Sequence, residues 1–214
     1  MYIFQPDRYL LKQQVKKYSH YIKGKVLDVG AGKFSRYRSL FACDKYIKMD
    51  VEKSNNIDVL GSAENIPFDN ETFDSIVCTQ VFEHLKVPNK AAREIHRVLK
   101  KDGYCLITVP QINELHEEPN DYFRYTNFGI AEIFQRNGFQ LIKCDQRGGF
   151  FTAISQMQIR YLIDKFDLYK KSLISRIFSK LARLYGGLMI WLDKIDQSKA
   201  NKKHALGWLF IFKK

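Results

Sequence analysis

Three short groups of residues in this 214-residue chain have types and spacing that suit chemistry. The first is Val26-Leu27-Asp28-Val29-Gly30-Ala31-Gly32, an apolar run ending in a glycine turn. Glycines there let the backbone take positive φ and let a ligand approach where a Cβ would stand. Asp50 closes the next apolar run, where a carboxylate accepts both hydroxyls of a ribose. A dinucleotide needs G-x-G-x-x-G for its pyrophosphate, but here Ser35 holds the third position behind bulky Lys33-Phe34. S-adenosylmethionine has no phosphate and does not need that glycine. Asp28 and Asp50 suit its cation and its ribose.

The second group is Leu115-His116-Glu117-Glu118-Pro119-Asn120-Asp121-Tyr122-Phe123-Arg124-Tyr125-Thr126. A histidine, acids, aromatics and an arginine in one loop can orient a polar, sugar-like acceptor. A hydroxyl acceptor must lose its proton during transfer, which calls for a general base. Imidazole titrates near neutrality, so His116 is the first candidate base, with Arg124 orienting the acceptor or holding the loop. In the structural alternative, Asp121 pairs with Arg124 while Tyr122 and Tyr125 brace the next helix. The third group is Glu83-His84, where His84 is either a second base or a packing and capping residue. His20, His96 and His204 read as surface or packing residues. Cys43, Cys78, Cys105 and Cys144 show no C-x-x-C spacing, and no metal-binding set is visible.

The elements that must position these groups alternate along the chain. Helical periodicity at Leu11, Val15, Tyr18 and Ile22 predicts a helix over 6–22. Strands are predicted at 25–29, 46–50, 57–60, 75–78, 104–109 and 139–144, with helices at 88–100 and 126–137. Ser35 is a candidate cap for a short helix reaching residue 41, and 101–103 reads as a turn. The alternation predicts an α/β fold with a mostly parallel sheet, in which ligands bind beyond the carboxyl ends of the strands. Past Gly148-Gly149 the pattern becomes helical over 152–170 and 172–196. Residues 198–203 are polar and basic, and a last strand is predicted at 206–212.

Residues 25–145 resemble the class I S-adenosylmethionine-dependent methyltransferases, in the type 11-like group. Residues 26–32 resemble the first motif, and Asp50 stands where the ribose-binding acid does. Ser62-Ala63-Glu64-Asn65-Ile66-Pro67-Phe68 is similar to the adenine-side loop, with Ser62 in place of the common acid and Glu64 a possible stand-in. Residues 73–78 with 81–85, and residues 93–104, resemble the fourth strand with its helix and the helix leading into the fifth strand. The resemblance implies a Rossmann-like seven-stranded sheet with an antiparallel last strand, and a single domain over 1–214. It makes 146–205 a helical insertion before that strand. It implies S-adenosyl-L-methionine as cofactor, held by Asp28, Gly30, Gly32, Asp50, Ser62, Ala63, Glu64 and Thr79. The 116–126 loop is similar to an H-x-x-P-x-D-Y-F-R-Y-T stretch in methyltransferases of surface-glycan and lipid-linked sugar pathways.

Composition adds location. The chain has 35 Lys and Arg against 23 Asp and Glu, a net charge of +12. Residues 151–214 hold 13 of those basic residues and 4 of the acids, so the excess belongs mainly to the helical insertion. Basic amphipathic helices with aromatics suit an anionic membrane surface, predicted here for 150–200. The alternatives are a lid and a dimer contact. Nucleic acid is disfavoured because no RNA-binding module or RNP-type pattern is present. Scattered thiols fit a reducing cytoplasm, and the expected location is cytoplasmic, peripheral at the inner membrane face. No signal peptide is recognised at the N-terminus, and no apolar run approaches the ~18 residues of a spanning helix.

Overall fold

The structure, a computed structural model, describes residues 3–34, 36–170 and 172–214. Helix α1 (Pro6–Tyr18) opens on proline, with Asp7 in its first turn and Lys16 and Lys17 in its last, as the helix dipole favours. Its predicted stripe is buried, but the helix stops at Tyr18, and a 3-10 turn (Ser19–Tyr21) carries the chain to Ile22.

Seven strands follow: β1 (Lys25–Val29), β2 (Lys45–Asp50), β3 (Val59–Leu60), β4 (Phe73–Thr79), β5 (Leu99–Pro110), β6 (Gln140–Arg147) and β7 (Gly207–Lys213). They form one sheet in the order β3-β2-β1-β4-β5-β7-β6, with the last strands antiparallel. Strands β1, β2, β4 and β5 pair in parallel and align Asp28 with Lys48 and Val77. This is the Rossmann-like α/β architecture the sequence predicts. Central strands covered on both faces read as near-continuous apolar runs, and Val26, Leu27, Ile76, Val77 and Cys78 are accordingly sealed from solvent.

Helix α2 (Pro88–Val98) buries Ala91, Ala92, Ile95 and Val98 at helical spacing. Helix α3 (Asn127–Arg136) is capped by the Thr126 hydroxyl, which accepts from Gly129 N. It ends before Gly138, whose φ of 88° suits glycine. The core gathers Phe73, Phe82, Ile95 and Phe134, with the Phe134 and Phe212 rings stacked 4.4 Å apart.

Two local expectations fail. Residues 101–103 are not a free turn: β5 runs through them, with Asp102 at φ 62° and a register shift opposite Phe73 and Ser75, as at a bulge. The helix expected up to residue 41 is only a 3-10 turn (Arg38–Leu40), and its proposed cap, Ser35, lies outside the described residues.

The chain divides into two compact units: one holds the sheet with α2 and α3, and the other comprises residues 3–14, 112–114 and 146–207. In the latter, α4 (Phe150–Lys165) and α5 (Leu173–Ile195) pack together. Asp193 on α5 caps α4, accepting from the backbone N–H of Gly149, Phe151 and Thr152 and from the Thr152 hydroxyl. The polar run near residue 200 forms α6 (Lys199–Lys202), whose buried Asn201 accepts from Phe150 N.

Helix α5 buries a seam of small residues, Ser175, Ala182 and Gly186, together with Ile190. A Cβ on Gly186 would stand 2.8 Å from Pro6 Cγ. The large residues Ile174, Ile177, Leu181, Leu184, Leu188, Trp191 and Ile195 are all exposed, Leu184 by 72%.

Candidate active site

The glycine turn leaves β1 at the carboxyl edge of the sheet. Gly30 N and Ala31 N donate to Met49 O at 2.9 and 3.1 Å, tying the turn to β2. Gly30 has φ 69°, and a Cβ there would lie 2.3 Å from Val81 Cγ2, so conformation and space both require glycine. Asp50, at the tip of β2, accepts from Gly32 N at 2.9 Å and from Glu52 N at 3.0 Å. A carboxylate has about four lone-pair sites, so Asp50 can organise the loop and still accept two ribose hydroxyls.

Asp28 is buried and accepts from the Tyr46 hydroxyl at 2.8 Å. Burial pushes its carboxyl up to about 7 and the nearby Asp50 adds to this, against the Tyr46 hydrogen bond and the Lys48 charge. Composition could not reveal that pairing; the parallel register of β1 and β2 creates it.

The loop over 62–68, which the resemblance assigns to the adenine side, is a tight turn. Ser62 Oγ accepts from Glu64 N at 3.1 Å, and Ala63 is buried. Glu64 is not an uncommitted stand-in acid, because its Oε1 accepts from Val87 N at 2.8 Å beside the start of α2. The loop beyond is held by residues to which the sequence assigned no role. Arg97 donates to Ile66 O, Phe68 O and Glu94, and Glu94 accepts from Ile66 N at 2.9 Å. Their i, i+3 spacing on α2 was the available signal. Thr79 ends β4, paired in register with Thr108.

Beyond β4 and β5 the two candidate bases meet. The His84 and His116 rings lie 4.9 Å apart at 79°. His84 Nδ1 is 2.6 Å from Asn120 O. A carbonyl only accepts, so Nδ1 carries a proton, and in the neutral ring the lone pair is then on Nε2. His116 Nδ1 is 3.3 Å from Asp121 Oδ2. Asp121 is gripped by both terminal nitrogens of Arg124, at 2.6 and 2.7 Å, and accepts from His116 N at 3.0 Å. The Arg124 guanidinium holds the Asp121 carboxyl down at about 2, so it is charged at neutral pH.

Arg124 therefore holds the loop, one of the two roles the sequence left open for it. Tyr125 braces the segment by donating to Phe82 O, while Tyr122 is exposed and donates to Asn120 Oδ1. Glu83, which the sequence treated only as His84's neighbour, is fully buried, and its carbonyl accepts from Tyr122 N and Phe123 N.

In the helical unit, α4 and α5 flank an open apolar groove of about 360 Å³ lined by Ile159, Leu162, Phe178 and Leu181. Among the described residues no helix is long and apolar enough to cross a membrane.

Residues 27–107 match the family model of a methyltransferase domain. A methyltransferase-like protein of Schizosaccharomyces pombe is 33% identical over 134 residues, which are 53% of this chain and 52% of that protein. The chain thus spans about half that relative's length. The YcgJ protein of Bacillus subtilis has a similar fold, with a TM-score of 0.56 at 17% identity over 96% of this chain and 97% of the other. A phosphoethanolamine N-methyltransferase of Haemonchus contortus, solved with S-adenosyl-L-methionine, gives 0.58 at 19% identity over 96% of this chain and 52% of its own.

Proposed function

From a sheet and a matched domain that are those of the class I S-adenosylmethionine-dependent methyltransferases, with S-adenosylmethionine as cofactor, we propose that this chain methylates a hydroxyl. The acceptor is a glycan, a lipid-linked sugar or another lipid-like molecule, used at the cytoplasmic face of an anionic membrane. The observation that carries the reading is the paired imidazoles of His84 and His116, fixed by Asn120 and Asp121 at the edge where the glycine turn also opens.

Transfer is an in-line displacement, and positioning supplies much of its rate. The acceptor oxygen attacks the methyl carbon as the carbon–sulfur bond breaks, and S-adenosylhomocysteine leaves with the electron pair. The hydroxyl proton goes to a neutral imidazole, with His116 the first base and His84 the second. Asp50 binds the ribose, and Asp28 draws the cationic end of the cofactor. Ser62, Ala63 and Glu64 line the adenine side through their backbone turn.

The exposed face of α5 supports the membrane placement. Ile174, Ile177, Leu181, Leu184, Leu188, Trp191 and Ile195 recur at spacings of three and four, and Arg176, Lys180, Arg183 and Lys194 accompany them. The only acid on the helix, Asp193, is committed to capping α4. Pairing with a second copy would set cation against cation along this stripe, whereas anionic headgroups complement it.

The test is S-adenosylhomocysteine release with glycan, lipid and RNA acceptors. Turnover with a hydroxylated glycan or lipid is expected. Turnover on RNA alone would overturn the acceptor class. Cofactor binding with no turnover on any acceptor would favour the second reading, a non-catalytic S-adenosylmethionine-binding partner at the membrane.

A further inference from the structure

We propose that Glu83, His84 and His116 form a binding site for a divalent first-row transition-metal ion. One ligand atom from each lies within 4.8 Å of the other two. Glu83 Oε1 is 3.9 Å from His84 Nε2, and Glu117 Oε2 approaches the same nitrogen at 3.8 Å from the solvent side. Two imidazoles and a carboxylate are the ligand types that zinc, iron, cobalt and manganese accept, whereas magnesium and calcium favour sets made of oxygen alone.

The surroundings prepare these groups as ligands. A metal-bound histidine usually passes its other ring N–H to a carbonyl or carboxylate, which fixes its tautomer and orientation. His84 shows that hydrogen bond, and His116 Nδ1 faces a carboxylate at ion-pair distance. His84 directs Nδ1 at Asn120 O, leaving the lone pair on Nε2, the nitrogen nearest Glu83. His116 directs Nδ1 at Asp121 Oδ2, and the tautomer that donates there carries its lone pair on Nε2. Asp121 is in turn locked by Arg124. The nearly perpendicular rings do not stack face to face. Glu83 is held by two backbone N–H groups on its carbonyl.

Three protein ligands leave positions open for water or substrate, as in catalytic sites. With an ion bound, the imidazole lone pairs are taken up as ligands, so the metal replaces the histidines in the proton step: an acceptor oxygen bound there would lose its proton to bulk water more readily. Its lone pair would form the bond to the methyl carbon as the carbon–sulfur bond breaks. That role rests on the methyltransferase reading; metal binding does not.

The site can be tested on the full chain, stripped with chelator and titrated with Co²⁺, read by visible absorption, and with Zn²⁺, read by calorimetry. Stoichiometric binding is expected. His84→Ala and His116→Ala should each weaken it roughly tenfold or more, and Asp121→Asn by ~10–100-fold, the range for outer-shell partners. His20→Ala serves as the surface control and should leave it unchanged. S-adenosylmethionine titration of each variant confirms that it is folded. No stoichiometric binding of either ion would overturn the proposal, as would unchanged affinity in both histidine variants. Metal binding without cofactor binding by the parent chain would overturn the methyltransferase reading alone.

Discussion

Asp28 and Asp50 face the same glycine turn with opposite electrostatic characters. Asp50 sits in a hydrogen-bonded, partly open setting and organises Gly32. Asp28 is buried, and its carboxyl is pushed up to about 7. Below that pH Asp28 is neutral and attracts no cation; above it the anion does. Affinity for the cationic cofactor should therefore rise as pH increases through about 7, and Asp28→Asn should flatten the rise in calorimetric titrations. Asp50→Ala removes the ribose acceptor and should weaken cofactor binding roughly tenfold, the scale of one hydrogen bond to a charged group. An unchanged affinity would remove Asp50 from the cofactor site. His116→Ala should lower turnover while leaving cofactor affinity near the parent value. Full turnover in that variant would place proton removal elsewhere.

Among elements, the sheet was easier to read than the helix pair. Period and length located six of the strands to within three residues, because strands buried on both faces must be apolar runs; the first five residues of β5 were read instead as helix and turn. Helix α5 shows the limit of that logic. Its amphipathic stripe was legible, but its direction was not: the helix packs through Ser175, Ala182 and Gly186 and turns the large side chains outward. Small residues permit a close approach, and a periodicity pattern does not weigh that option. The start of α4 is tied to α5 through the Asp193 carboxylate, beside the apolar packing of the two helices. Asp193→Ala would leave several N–H donors at the start of α4 without their acceptor and should cost ~2 kcal/mol in urea denaturation. A wild-type midpoint would show that water caps α4 equally well.

At the scale of the whole molecule, the charge excess and the apolar stripe coincide on one helical unit. Leu181→Glu with Leu184→Glu places acids inside the exposed face without touching the buried seam. The parent chain should co-sediment with anionic vesicles and not with neutral ones, and the double variant should no longer co-sediment with the anionic vesicles. Equal partitioning of parent and variant would end the membrane placement, and a dimer in sedimentation equilibrium abolished by the same pair would assign the face to a second copy. The glycine turn, Asp50, the alternation of strands and helices and the basic segment were all open to reading from the chain alone, since each depends on local composition, period or spacing. The meeting of Glu83, His84 and His116, the Tyr46–Asp28 hydrogen bond, the Arg97 clasp on the 62–68 loop and the small-residue seam through which α5 packs were not. Each depends on which strand tips and helix faces the fold brings together, and distance along a sequence does not encode distance across a sheet.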